Sequence, residues 1–257
     1  MKFLFAILSL SLLIGCSGEE DPKMELLKKE YWGPEDYDVV LDEIEYNTPE
    51  GEEFPRFDNS ENAAVIEKLL DTRNFEVILN DDALGLNHKN EVAEMFFNLS
   101  QEMQELYSVV DRQDKFIYSQ EFAKSLVFGL KIQLTYFKLG NQRIRERADD
   151  ATSSRVINTM RSNETTCASN FALYLDYVNK QKAFDNTGLE TFIAGINSEV
   201  PKMIEAFPEA DFSELRQKAE LMKKKSQNPK LQEALESIIS QLDALTPEEE
   251  IEEEVEM

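Results

Sequence analysis

Residues 211–245 read DFSELRQKAELMKKKSQNPKLQEALESIISQLDAL. Apolar side chains fall at Phe212, Leu215, Ala219 and Met222, and again at Leu231, Leu235, Ile238, Leu242 and Leu245. Steps of three and four place each set along one face of a helix. Asp211-Phe212-Ser213-Glu214 opens the first stretch with an acidic variant of the capping box, and Asn228-Pro229 supplies a cap and a first-turn proline to the second. Two amphipathic helices joined by a short polar link predict an antiparallel hairpin and an all-α fold.

The same spacing extends upstream. Ala63, Ile66, Leu69 and Leu70 outline a short helix behind Ser60, and Val92, Met95, Phe96, Leu99, Met103, Leu106 and Val110 a longer one. A third is expected from Ser119, with Phe122, Leu126, Leu130, Leu134 and Phe137 on its face and an end near Arg147; Gly129 and Gly140 weaken it locally. A fourth carries Val156, Ile157 and Met160, then the polar run Arg161 to Thr166, then Cys167, Phe171, Tyr174 and Val178. It is either one long helix with a solvated middle or two. Thr187-Gly188-Leu189-Glu190 is a capping box for a fifth, with Leu189, Phe192, Ile196 and Val200, and Pro201 should kink or end it. No period of 30–45 residues repeats along the chain, so a helical solenoid is not indicated. About seven helices over residues 59–246 describe one compact domain, large enough to bury a core without disulfides.

The 257 residues hold 51 Asp and Glu against 27 Lys and Arg, a formal charge of −24. That surface offers nothing to a phosphate backbone, so no nucleic-acid partner is expected. The excess sits at the flanks: residues 17–58 carry 15 acids and 4 bases, residues 243–257 carry 8 acids and no base, and residues 59–242 are net −6. Residues 16–58 therefore read as an acidic tether and 247–257 as a disordered acidic tail. From Cys16 to Ser60 the arm could reach about 145 Å fully extended, or about 35–40 Å on average if flexible. Yet it holds Tyr31, Trp32, Tyr37, Tyr46, Phe54 and Phe57, which an inert spacer does not need. These aromatics either pack back on the parent domain or dock on a partner.

At the other end, Lys2 precedes a twelve-residue apolar run, Phe3 to Ile14, too short for the roughly 20 residues that cross a bilayer. It closes in Leu13-Ile14-Gly15-Cys16, which resembles the lipobox of a bacterial lipoprotein leader. The resemblance implies cleavage of residues 1–15, lipidation of Cys16, attachment to the membrane through that lipid, and a place in the cell envelope at the outer membrane. Several acyl chains anchor stably where one would not. Ser17-Gly18-Glu19-Glu20-Asp21 resembles the surface-export signal of Bacteroidetes lipoproteins; the same acids could equally begin a solvated linker, so the side of the membrane stays open.

Candidate chemistry is sparse. With Cys16 lipidated, Cys167 is the remaining thiol, no intramolecular disulfide can form, and its helical spacing with Phe171 marks a buried small hydrophobe. Asn80 to Glu91 partly matches a calcium loop, with Asp82 third, Gly85 sixth and Glu91 twelfth, but Leu84 gives no oxygen at the fifth place and Asn87 replaces the apolar eighth. Asp82 and Glu91 are thus the weak metal candidates; no metal is assigned and no cofactor is implied. His88 has no second His to share a metal or a catalytic triad. Arg143, Arg145, Arg147, Arg155 and Arg161 run against the charge of the whole. They could pair with local Glu146, Asp149 and Asp150, hold the acidic arm or tail, or contact an anionic envelope component or partner. The expectation is a non-catalytic, lipid-anchored envelope subunit that acts through protein contacts. The alternative is a ligand-binding or hydrolytic lipoprotein using carboxylates in a helical pocket, with calcium as a possible requirement.

Overall fold

The structure, a computed structural model, describes residues 25–47, 54–60, 62–108, 117–181 and 184–245. The lipobox, Cys16, the acids after it, Val110 and the tail 247–257 lie outside the described residues. Among those described, nine helices and no strand are present: α1 Pro34–Asn47, α2 Ala63–Leu69, α3 Arg73–Leu79, α4 Leu86–Ser108, α5 Ser119–Glu146, α6 Ser154–Gln181, α7 Asn186–Ala206, α8 Ser213–Lys225 and α9 Pro229–Asp243. The all-α fold is as expected.

The 28-residue α5 is the axis. Phe122, Leu126, Phe128, Leu130, Ile132, Leu134 and Phe137 are buried around most of its circumference, while the face of Lys124, Val127, Lys131, Thr135 and Lys138 is partly or fully exposed. It packs on α4, α6 and α7; α6 continues to α8, α8 to α9, and α9 back to α7, so five helices close a ring, with α4, α1 and α3 on the outer side of α5. The α8–α9 hairpin is antiparallel, pinned at one end by Arg216 to Asp243 at 2.6 Å and at the other by Lys223 to Glu236. Asn228 caps α9 by accepting the Leu231 N–H at 3.1 Å, with Pro229 in the first turn.

Much of what was read as a tether belongs to the core. Pro34 opens α1, and Trp32, Tyr37, Val40 and Ile44 are fully buried. Tyr37 meets Trp32 and Phe96 edge to face at 5.9 and 5.3 Å, and Phe75 of α3 meets Phe128 of α5 at 5.3 Å, so α1, α3, α4 and α5 share one aromatic cluster. Asn74 is the polar pin of that cluster. Its Oδ1 accepts the Trp32 backbone N–H at 2.9 Å, and its Nδ2 donates to Tyr37 Oη at 2.8 Å and the Lys68 carbonyl at 2.7 Å. Tyr37 in turn donates to the Leu69 carbonyl at 2.6 Å. Residues 54–58 form a second strap: Phe54 stacks on Tyr118, Tyr107 donates to the Pro55 carbonyl, and the Phe57 N–H reaches Glu121 Oε1 at 2.7 Å.

One local expectation changes and two alternatives close. The cap of α7 is Asp185 rather than Thr187: Asp185 Oδ1 accepts the Gly188 N–H at 2.8 Å and the Ser119 hydroxyl at 2.9 Å, while Ser119 Oγ accepts the Asp185 N–H. A Cβ on Gly188 would lie 2.1 Å from Ser119 Oγ, so glycine permits this clasp. Ser119, the first residue of α5, thus gives its hydroxyl to the cap of α7. Pro201 does not end α7, which runs on to Ala206. Asn197, four residues before the proline, is exposed and lines an open groove against α9 with Pro201, so the carbonyl freed there is on the open side of the helix, and buried Met203, Ile204 and Phe207 hold the last turns. The polar run 161–166 does not break α6. Asn163 donates to Asn141 and to the Phe137 carbonyl, and Asn141 to Glu164, so these polar groups are satisfied across the α5–α6 contact.

Asn74→Ala strands the buried Trp32 N–H and opens a gap beneath α1; a loss of about 3 kcal/mol in urea-unfolding stability is expected. Burial raises the pKa of Glu121 above the ordinary carboxylate range, against the lowering effect of the Phe57 N–H. The folded state therefore holds that proton more tightly than the unfolded chain, and its ionised form costs stability as pH rises. Glu121→Gln keeps an acceptor for Phe57, so its stability relative to the parent protein should be greatest near neutral pH and shrink as pH falls through the carboxylate range, measured by denaturant titration at several pH values.

Candidate functional site

Between α4, α5 and α6 lies a cleft of about 330 Å³, lined by Gln101, Gln104, Glu105 and Ser108 from α4, Gln133 from α5, and Asn170, Leu173 and Tyr174 from α6. Gln104 and Gln133 are 6% and 1% exposed. Helical spacing puts Gln101, Gln104, Glu105 and Ser108 on one face of α4, so the wall is a property of local sequence. Gln104 Nε2 donates to the Ser125 carbonyl at 3.3 Å and to Tyr174 Oη at 3.2 Å. Gln133 Nε2 donates to the Cys167 carbonyl at 3.2 Å. Gly129 allows the first arrangement: a Cβ there would lie 2.2 Å from Gln104 Nε2 and 2.5 Å from Tyr174 Oη. The glycine expected only to weaken α5 is where two polar side chains cross its surface.

Carbonyls accept and never donate, so these partners fix which end of each amide is the nitrogen. The carboxamide oxygens are the ends left for the cleft. Among the described residues Glu105 is the one carboxylate in the lining, so these residues do not by themselves supply a carboxylate pair. Glu105 also borders a band of acids: the Glu102 carboxyl is held above its ordinary pKa by partial burial first, then by Asp38, Asp42, Glu45 and Glu105.

The arginines are spread rather than gathered. Arg143 and Arg147, which share a face at the end of α5, donate to Asn90 at 2.6 Å and Asn87 at 2.7 Å, tying α5 to the start of α4. Arg161 on α6 pairs with Glu209 in the α7–α8 connection, its Nε at 2.8 Å. Arg145 and Arg155 are exposed, and Arg155 lines a shallow groove with Ile144, Asn158 and Thr159. Glu146 is held by Gln142 and Asp150 by Thr152, whose hydrogen bonds lower the Asp150 pKa.

Of the calcium candidates, Asp82 is exposed in the loop and Glu91 lies in α4, which starts at Leu86, five residues before it. No group of three or more His, Cys, Asp or Glu side chains among the described residues is placed to hold a metal. His88 is exposed, its Nδ1 3.9 Å from Glu91 Oε2. Cys167 is fully buried, and desolvation pushes its thiol up to about 12, which leaves almost no nucleophilic thiolate at neutral pH. A second groove, between α5 and α7, carries Lys124, Lys131 and Lys202. Lys124 sits 3.8 Å over the Phe57 ring and Lys202 is 2.9 Å from buried Glu199, so two of the three support the fold.

Sequence reasoning did not single out Gln104, Gln133 or Asn170. Gln133 stands between Ile132 and Leu134 on α5, on the side of the helix opposite partly exposed Lys131, and that polar residue among apolar neighbours was the available signal. No family model matches the chain, no curated protein is measurably similar to it, and no solved structure matches it.

Proposed function

We propose that this protein is a lipid-anchored component of the bacterial outer membrane, attached through Cys16, that presents a helical domain to a protein partner in the envelope. The observation that carries the reading is Leu13-Ile14-Gly15-Cys16 at the end of a short apolar run that follows Lys2. Among the described residues no helix is long and apolar enough to cross a membrane, so acyl chains on Cys16 are the attachment the sequence offers. The packed chain is already helical at Glu25, nine residues beyond Cys16. Nine residues span at most about 30 Å, so the anchor is a short leash, not the long one expected from the arm. A strongly acidic protein on such a leash is repelled by an anionic surface, which keeps the domain off the bilayer.

Partner contact is assigned to the exposed guanidinium groups Arg145 and Arg155, because the others are spent on Asn90, Asn87 and Glu209. The cleft supports a second reading, a small-ligand-binding lipoprotein. Replacing Cys16 by Ser should abolish incorporation of a clickable palmitate analogue and move the protein from the membrane to the soluble fraction. Unchanged labelling and fractionation would contradict the anchor.

A further inference from the structure

The two buried amides of the cleft and its one described carboxylate favour a donor-rich cation. The amide nitrogens of Gln104 and Gln133 are turned into the protein, onto the carbonyls of Ser125 and Cys167, which leaves two carboxamide oxygens for the cavity. Glu105 adds a carboxylate on the α4 wall, and Gln101, Ser108 and Asn170 add further groups able to accept. Among the described residues, no lysine or arginine lines the cleft. Asp38, Asp42, Glu45 and Glu102, grouped with Glu105 across α1 and α4, deepen the negative potential beside it. An anion would find no counter-charge among these described residues. A divalent metal would find one carboxylate and a space much larger than an ion, whereas ligand pockets start at about 300 Å³. A compact ammonium group offers three donors to acceptors spread over several walls, and the exposed Leu173 at the rim suits a methylene stem.

We propose that the cleft between α4, α5 and α6 binds a small protonated alkylamine, with the ammonium held by the Gln104 and Gln133 carboxamide oxygens and the Glu105 carboxylate. This site is independent of the lipid anchor and adds a ligand to a protein otherwise read as acting through protein contacts.

Putrescine titrated into the full mature chain is the probe, read by calorimetry and by the side-chain amide NMR signals of Gln104, Gln133 and Asn170. Saturable binding with a midpoint below about 1 mM is expected, with those amide signals shifting along the same isotherm. The isosteric but uncharged 1,4-butanediol should leave them in place. Glu105→Gln, on the exposed side of α4, should weaken putrescine at least about tenfold, the loss that follows from removing one charge-assisted hydrogen bond. Glu94→Gln makes the same charge change three turns away and should leave the midpoint within about twofold. The proposal is overturned if putrescine does not saturate, if the amide signals do not move, or if the two Glu variants weaken binding equally, which would show counter-ion binding to an acidic surface. A folded Glu105→Gln, confirmed by its unfolding midpoint, keeps a negative result interpretable.

Discussion

The burial of Trp32 and Tyr37 under α3 and α4, with Asn74 satisfying the backbone beside them, is the constraint on which the rest of the architecture depends. An aromatic pair of this size contributes several kcal/mol through burial alone. That gain is available only if the polar backbone carried in with it finds partners, because an orphaned buried N–H costs about as much as one good contact supplies. Asn74 meets this condition with one side chain that bonds α1, the chain before it and the end of α2 at once. Helices α2 and α3, seven residues each, are too short to be stable alone, and the aromatic cluster gives them a surface to fold against.

A second theme is that polar side chains inside this bundle mark joints between helices. Asn141, Asn163 and Glu164 tie α5 to α6 near one end, Gln133 does so in the middle, and Gln104 brings α4 to the same place through Tyr174. Each such group costs desolvation and recovers it only in one register, which makes the packing specific. Along most of the α5–α6 contact the amides are consumed by these bonds. At the cleft the nitrogens of Gln104 and Gln133 are consumed in the same way, and what separates a candidate binding site from an ordinary polar joint is the space of about 330 Å³ that these side chains line.

The longer helices were legible because their stripes run for several turns: α4, α5, α8 and α9 follow the spacing of Phe96 to Leu106, Phe122 to Phe137, Leu215 to Met222 and Leu231 to Leu242. Helix α1 carries the same code in Tyr37, Val40, Leu41 and Ile44 behind Pro34. Six acids within the same helix made the segment read as solvated, although acids on the outer face of a helix do not oppose burial of the inner one. Helix α3 shows too few turns for a period to be visible. Helix α7 continues past Pro201 because a proline costs one hydrogen bond locally, while three buried residues beyond it outweigh that loss. The cleft was less legible than the fold: Gln and Asn in helices are usually surface residues, and only tertiary contacts show that Gln104 and Gln133 are inside. The arginines, conspicuous in sequence, divide into structural donors and exposed groups because their partners come from α4 and the α7–α8 connection, far away along the chain.

The central claim is that the acidic segment around α1 is part of the folded core. Trp32 is the single tryptophan of the chain, fully buried, with its indole N–H donating to the Leu26 carbonyl at 2.8 Å. Intrinsic tryptophan fluorescence, followed through urea unfolding alongside far-ultraviolet circular dichroism, is therefore the most direct measurement. The account predicts blue-shifted native emission that acrylamide does not quench, and a fluorescence transition that coincides with loss of helix. Solvent-exposed, readily quenched emission in the native protein, or a fluorescence transition complete before the helices melt, would contradict it.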